Sequence, residues 1–326
     1  MFEKLGTPDF LIEAREKNTA TRRFEFGITV LLFLLVFFVA NFAQSLLLTP
    51  FLVVALILDP AVFEKLSSLE GLSGETVLTE MTAFLDAFMK ENVAVLFGTL
   101  LSSAGAAVVA VLFCRLIEKR SLRTMAVRSR YLPSSLLLGT LTGALIVLAA
   151  VVFAYCFGAV TLTGTGKGSV VSALLLVLGF VVQALAEELF FRGYLMISIS
   201  RVRPLSVGVL LSALLFALFH RTAATISVLG LLNLFLLGLV LALFTVRCGN
   251  LFGSVALHAA YLALEGAVLG SPVDGQGMPA SLFTISFAEG STFLHGGAYG
   301  LGGGLAVTFA LTLALAFLGM TKTRKG

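Results

Sequence analysis

The chain contains repeated apolar runs of about 18 or more residues, and each is long enough to cross roughly 30 Å of hydrocarbon. The run that starts at Leu31 shows no alternation of apolar and polar residues, so these segments are not the strands of a membrane barrel. Hydrophobic residues make up 58% of the 326 residues, charged residues only 12%, and the mean hydropathy is +1.04. A soluble domain has a far more mixed composition. The sequence therefore predicts an all-α fold, a polytopic transmembrane helical bundle.

We expect about eight membrane spans, and the parts of the chain follow from them. The predicted parts are a cytoplasmic N-terminal tail at residues 1–26, N-terminal transmembrane helices at 27–168 with an outer loop at 64–92, a helical core at 169–318 and a cytoplasmic C-terminal tail at 319–326. The predicted spans are Gly27–Leu48, Val93–Ile117, Ser135–Phe157, Val170–Leu195, Pro204–Phe219, Ile226–Val246, Leu251–Leu269 and Ala298–Leu318.

The basic residues predict the orientation of these spans, because Lys and Arg are enriched in short cytoplasmic loops. With the N-terminus inside, every basic loop falls on the cytoplasmic side, and the acidic segments at Glu64–Glu91 and around Asp274 and Glu289 fall outside. The net charge of +4 is therefore attributed to orientation, and no nucleic-acid partner is expected. We expect a multi-pass protein of a bacterial or archaeal plasma membrane, with the lipid bilayer as its partner and both termini cytoplasmic. The basic residues concerned are Lys4, Arg15, Lys17, Arg22, Arg23, Lys119, Arg120, Arg123, Arg128, Arg130, Arg201, Arg203, Arg247, Lys322, Arg324 and Lys325.

One segment of the outer loop, Glu75–Lys90, has apolar residues at helical spacing between acidic ones. This pattern predicts a helix with two possible settings. It can lie on the outer membrane surface as an amphipathic helix, or it can be an ordinary exposed helix of the loop.

The fourth predicted span ends in a group of three charged residues, Glu187, Glu188 and Arg192. Ionisable side chains at membrane depth are costly and need a reason. On a helix, Glu188 and Arg192 are four residues apart and can form an ion pair. Glu187 is rotated from Glu188 by about 100°, so it can face a cavity of its own and act as a general base. The alternative is a structural charge cluster whose side chains reach water at the cytoplasmic interface.

Two of the three histidines, His220 and His258, lie in or at the end of predicted spans. A single histidine on an apolar helix is usually a core residue. Two of them together with an intramembrane pair of acids favour a functional site. His295 lies in the outer loop without that context, and we do not include it.

Three motifs occur in order along these helices: Glu-Glu-x-x-x-Arg at 187–192, Phe-x-x-x-His at 216–220 and a histidine at 258. In this order they resemble the CPBP family, which comprises CAAX prenyl endopeptidases and bacteriocin-processing or immunity proteins and is also called the Abi family. The resemblance covers about residues 170–305. It implies an intramembrane peptidase whose membrane-embedded cavity cleaves a peptide or a membrane-anchored protein substrate, most closely in the manner of the type II CAAX prenyl endopeptidases.

The resemblance also implies a role for each motif residue. Glu187 would activate the attacking water. His220 and His258 would position that water, stabilise the oxyanion or bind a metal, while Glu188 and Arg192 would hold the helix geometry. Two histidines and the Glu187 carboxylate would also provide three ligands for a catalytic Zn²⁺, with a fourth position left for water. A metal-free glutamate mechanism and a zinc mechanism both stay open.

The third motif departs from the family pattern, because Leu262 stands where Asn or Asp is usual. Glu265, on roughly the same helix face as His258, or Asn233, on the preceding helix, can supply the lost polar group. The departure also leaves room for a catalytically silent relative that acts as a scaffold or a bacteriocin self-immunity protein. Intramembrane charges would also suit a transporter with a buried charge relay, although the sequence shows no inverted repeat.

Overall fold

Apolar segments in a membrane form helices because hydrocarbon offers no hydrogen-bond partner for exposed backbone groups. The computed structural model describes residues 6–16, 25–220 and 226–320, and in these ranges the chain is overwhelmingly helical, which confirms the predicted fold class. The α-helices are α1 Asp9–Glu16, α2 Glu25–Leu58, α3 Pro60–Ser68, α4 Gly74–Glu91, α5 Val93–Ser102, α6 Ala104–Leu112, α7 Leu132–Cys156, α8 Val170–Glu188, α9 Ile197–Val202, α10 Leu205–Phe219, α11 Val228–Cys248, α12 Phe252–Ala263, α13 Thr292–His295 and α14 Leu305–Met320.

Shorter elements complete this part of the chain. Two strands, β1 Val160–Thr165 and β2 Phe283–Phe287, pair antiparallel outside the predicted spans. Three π-helical segments continue α-helices without a break and lie at Phe113–Ile117, Leu189–Met196 and Leu264–Val268. Three 3₁₀ segments lie at Leu122–Met125, Gly297–Tyr299 and Leu301–Gly303.

Each of the eight predicted spans corresponds to a helical segment. Five are apolar and long enough to cross a membrane: Gly27–Leu58, Val93–Ile117, Leu132–Cys156, Val170–Val202 and Val228–Cys248. The other three are shorter apolar helices at Leu205–Phe219, Phe252–Val268 and Leu305–Met320. The protein is therefore an integral membrane protein with several apolar helices.

Three predicted boundaries were wrong. The first span does not end at Leu48, because α2 continues through Pro50 to Leu58. The last span does not begin at Ala298, because the glycine-rich stretch before Leu305 forms 3₁₀ turns instead. The fourth span does not end at Leu195, because the π-helical segment Leu189–Met196 and then α9 continue it to Val202.

This last correction changes where Glu187 and Glu188 lie along their helix. In the 33-residue helix Val170–Val202, Glu187 lies about midway along the axis. The predicted boundaries had placed it near the inner face and His220 near the outer one. In the structure the two side chains are close, with His220 Nε2 at 3.5 Å from Glu187 Oε2.

The loops predicted to be cytoplasmic contact one another on one side of the bundle. Arg15 on α1 donates hydrogen bonds to the carbonyl oxygens of Ser200 and Arg203. Glu13, also on α1, pairs with Arg128 from the loop before α7. The grouping of these segments therefore agrees with the basic-residue pattern, whereas the side of the membrane that they face stays a prediction. The predicted tail residues Lys4, Lys17, Arg22, Arg23, Lys322, Arg324 and Lys325 lie outside the described residues.

The segments predicted to be outside also meet. The helix predicted at Glu75–Lys90 is present as α4, with Ser73 as its N-cap. Near the end of this helix, Gln276 donates to the carbonyl oxygen of Lys90 across 3.4 Å. The second predicted outer segment therefore packs beside the first.

Two glycines bring α7 and α12 into backbone contact. A Cβ atom at Gly139 would lie 2.2 Å from the carbonyl oxygen of Gly253, and one at Gly143 would lie 2.2 Å from that of Leu257. Small residues at helix interfaces allow this close approach in membranes, where dispersion forces rather than water drive packing. The contact fixes the position of α12, which carries His258.

We predict that Gly143→Ala lowers the free energy of unfolding in detergent by about 1–3 kcal/mol, because the added methyl group overpacks a backbone contact. The measurement is a denaturant titration that compares this variant with Leu141→Ala, a change on an exposed face of the same helix. Equal stability of Gly143→Ala and the wild type would show that α7 and α12 separate easily.

Candidate active site

The centre of the site is a buried ion pair between Glu188 and Arg192. Glu188 ends α8, and Arg192 follows in the π-helical segment Leu189–Met196. Arg192 Nη1 lies 2.9 Å from Glu188 Oε1, and both side chains are 0% exposed. Arg192 Nη2 also donates to the carbonyl oxygen of Gly238 on α11 at 3.2 Å. The predicted pair therefore forms, and it ties α8 to α11.

An aromatic ring covers the guanidinium of Arg192. Its central carbon lies 4.6 Å from the ring centroid of Phe216 on α10, within the range of a cation–π contact. The charge of Arg192 is thus compensated by a carboxylate, a carbonyl oxygen and a ring face. This compensation matters because an unpaired charge at such a site would destabilise the fold strongly.

Both histidines are held through Nδ1. His258 Nδ1 lies 3.2 Å from Glu188 Oε1, and His220 Nδ1 lies 2.7 Å from the carbonyl oxygen of Phe216. A carboxylate and a carbonyl can only accept, so both Nδ1 atoms carry the proton. Each Nε2 is then left to face the centre of the site.

The Nε2 atoms of both histidines lie near the carboxylate of Glu187. Its Oε2 lies 3.5 Å from His220 Nε2 and 3.8 Å from His258 Nε2. This oxygen is buried and has no hydrogen-bond partner among the described residues. Three groups that can each accept a hydrogen bond therefore converge, and a proton on one imidazole or a bridging water or cation would satisfy them.

The donor set of two imidazoles and a carboxylate suits zinc chemically. Within the described ranges, however, no group of three or more His, Cys, Asp and Glu side chains meets the geometry of a metal site. The metal ligation of Glu187, His220 and His258 accordingly stays a prediction.

Two cavities meet at Glu187. The larger, about 200 Å³, lies between α2, α5, α6 and α8 and also reaches His220. The smaller, about 20 Å³, lies on the α11 and α12 side and is lined by Glu187, both site histidines and residues of the outer loop. A volume of this size has room for about one water molecule. The arrangement can thus bring water and a second reactant to one carboxylate from two cavities.

The two predicted auxiliary residues line the smaller cavity but bond to the glycine-rich segment before α14. Asn233 Nδ2 donates to the carbonyl oxygens of Gly302 and Gly304, both at 2.8 Å. Glu265 Oε1 accepts from the Gly302 N–H at 2.9 Å. Leu262 lines the same cavity, beside the histidines, as an apolar group. Whether Asn233 or Glu265 replaces the missing amide of the third motif stays a prediction.

Sequence reasoning missed Gln183. Its Nε2 donates to Glu187 Oε1 at 2.8 Å, one helical turn before the motif. It also missed Asn41 and Gln44 of α2, which line the larger cavity. An amide in an apolar span is itself a signal, since polar side chains in such helices are usually functional.

One comparison with known proteins gives a match. The model of the family described as "Type II CAAX prenyl endopeptidase Rce1-like" matches residues 168–264. The match covers α8 to α12, which carry all five predicted catalytic residues, and it confirms the family resemblance for this segment. Neither a curated protein nor a solved structure matches the chain significantly.

We predict that Arg192→Met lowers the free energy of unfolding by about 3–5 kcal/mol, because it leaves the Glu188 carboxylate buried without a counter-charge. In the double variant Glu188→Gln/Arg192→Met most of this loss should be recovered. Denaturant titrations in detergent measure both.

The matched control is the exposed ion pair of Lys90 and Asp86, which has the same four-residue spacing. Lys90→Met should cost only about 0.3–0.5 kcal/mol. A similar cost at both pairs would contradict the idea that burial makes Arg192 indispensable.

Proposed function

From the match of residues 168–264 to the Rce1-like family, we propose that this protein is an intramembrane endopeptidase. In this proposal Glu187 activates the attacking water. The observation that carries the proposal is the convergence of both histidine Nε2 atoms on the unpartnered Glu187 Oε2, beside two cavities. The substrate is a peptide or a membrane-anchored protein.

In this mechanism a water molecule lies within hydrogen-bond reach of Glu187, which takes its proton as the oxygen attacks the scissile carbonyl carbon. One neutral imidazole, of His220 or His258, accepts a hydrogen bond from the water at Nε2. The other, protonated on both nitrogens, donates from Nε2 to the carbonyl oxygen and stabilises the negative charge that develops there. Glu188 fixes the ring of His258 through Nδ1, and Arg192 fixes Glu188. The proton then passes from Glu187 to the leaving amine.

A zinc ion would be held by Glu187, His220 and His258 in the alternative form of the proposal. It would supply Lewis-acid activation of water, and the remaining carboxylate, Glu188, would be the candidate base. The pairing of Glu188 with Arg192 would then have to loosen. Metal analysis of the purified protein, with and without chelator, separates the two forms independently of activity.

We predict that Glu187→Gln lowers kcat on a membrane-anchored reporter peptide by about 10²–10⁴-fold, the usual contribution of a general base. The measurement is cleavage by purified protein in detergent, followed by mass spectrometry. His220→Ala and His258→Ala should also reduce kcat. Glu75→Gln, at an exposed position of α4, is the control and should cleave like the wild type.

The cleavage assay should use several reporter peptides, some with and some without a prenyl group, because the family description names a prenyl endopeptidase. Cleavage by the wild type with unchanged activity in Glu187→Gln would reject the glutamate mechanism. A wild type that folds but cleaves no reporter would favour the second candidate function.

That second candidate is a catalytically silent scaffold or immunity protein, and the observation that favours it is Leu262 in the lining of the smaller cavity. Restoring an amide there tests it. We predict that Leu262→Asn raises kcat about tenfold or more, because an added donor near the histidines can stabilise the oxyanion. Activity that appears only in Leu262→Asn would identify the wild type as silent. A lower kcat in Leu262→Asn would show that other groups already fill this role.

A further inference from the structure

The Gln183 side chain has a fixed orientation. Its amide is 2.8 Å from Glu187 Oε1, and a carboxylate can only accept, so Nε2 must face Glu187. The donated bond occupies Oε1 of Glu187 and leaves Oε2 to the two histidines. Gln183 therefore aims the carboxylate on which the proposed mechanism depends.

The other end of the amide is unsatisfied. Gln183 Oε1 is buried and has no hydrogen-bond partner among the described residues. Gln183 also lines both cavities that meet at Glu187. A buried acceptor without a donor costs stability, so a ligand that brings a donor to this position gains the hydrogen bond.

The rest of the larger cavity also offers acceptors. Thr99 and Ser103 donate their hydroxyl protons to backbone carbonyls of α5, and Asn41 donates one N–H of Nδ2 to a carbonyl of α2. The two hydroxyls can still present oxygen lone pairs, whereas Asn41 keeps its Oδ1 acceptor and one amide N–H. Gln44, on the same wall as Asn41, makes no hydrogen bond to any residue in the described ranges and can both donate and accept.

A cavity that offers these acceptors together with a few amide N–H groups suits an occupant that has both N–H and C=O groups. A peptide backbone presents such groups at regular intervals, whereas an isoprenyl or acyl chain presents none. A phosphate headgroup carries negative charge, and among the described residues that line this cavity there is no Lys or Arg to compensate it. Aromatic rings of Phe37, Phe190, Phe191 and Phe219 line the remainder and suit an apolar side chain.

We propose that the larger cavity binds an extended stretch of the substrate peptide next to the scissile bond. In this arrangement Gln183 positions Glu187 through Nε2 and accepts a substrate backbone N–H at Oε1. Gln44 contacts the same peptide from the opposite wall. The inference rests on the proposed peptidase function and names the substrate feature that the site recognises.

The test changes the substrate and the protein together. A series of reporter peptides carries a single ester in place of one backbone amide at each position flanking the scissile bond, which removes one N–H at a time. Each peptide is assayed with the wild type and with Gln183→Met, which keeps the chain length and removes the amide. Gln276→Met, in the outer loop away from both cavities, is the matched control.

At one position we expect the ester to lower kcat/KM of the wild type about tenfold and to have little further effect in Gln183→Met, because the same hydrogen bond is already absent. On the all-amide peptide Gln183→Met should both lower kcat and raise KM, whereas Gln44→Met should raise KM alone. Independent, additive effects at every position would overturn the proposal. A dependence of KM on isoprenyl length that Phe37→Ala abolishes, without any ester effect, would assign the cavity to a lipid chain.

A binding measurement tests the proposed contact of Gln183 with the peptide independently of the proposed Glu187 mechanism. The same peptides are titrated against Glu187→Gln and Glu187→Gln/Gln183→Met by fluorescence anisotropy, without turnover. Loss of the ester effect on binding in the double variant supports the contact even if catalysis follows another route. Equal ester effects in both variants would reject the contact while leaving the Glu187 mechanism intact.

Discussion

The burial of the Glu188 carboxylate constrains the whole core. A charge removed from water must be compensated by neighbours, and here the neighbours come from different helices. Arg192 pairs with it and reaches the carbonyl oxygen of Gly238 on α11, while His258 on α12 approaches its Oε1. One buried acid therefore links α8, α11 and α12, and any separation of these helices would leave a charge unpaired.

Because of this constraint, the adjacent residues Glu187 and Glu188 have different neighbours. Glu188 is held through Oε1 by Arg192 and His258, and its Oε2 has no hydrogen-bond partner among the described residues. Glu187 points about 100° away, and its Oε2 faces both histidines. The anchoring of His258 through Nδ1 turns its Nε2 toward that oxygen, and the carbonyl of Phe216 does the same for His220. Contacts at Nδ1 thus orient both imidazoles toward Glu187.

Much of this arrangement could be predicted from the sequence, because charged and imidazole groups in apolar helices are rare and recognisable. The pairing of Glu188 with Arg192 followed from helical spacing alone. Helix ends were harder, since neither the continuation of α2 beyond Pro50 nor the π-helical segment after Glu188 changes the hydropathy of the run. Gln183 was missed because its role depends on an oxygen of Glu187 that no sequence pattern identifies.

Glu187 lies about midway along the 33-residue helix Val170–Val202, and polar groups from other parts of the chain approach it there. Its smaller cavity is also lined by Asp274 and Tyr299 of the predicted outer loop. That loop folds inward, and at Gly300 the backbone comes so close to Pro272 that a Cβ would lie 1.8 Å from the proline carbonyl oxygen. Irregular backbone at membrane depth is stable only where protein covers it, and Asn233 supplies such cover by bonding the glycine-rich segment. The inward loop therefore brings polar residues beside a carboxylate that lies in the middle of an apolar helix.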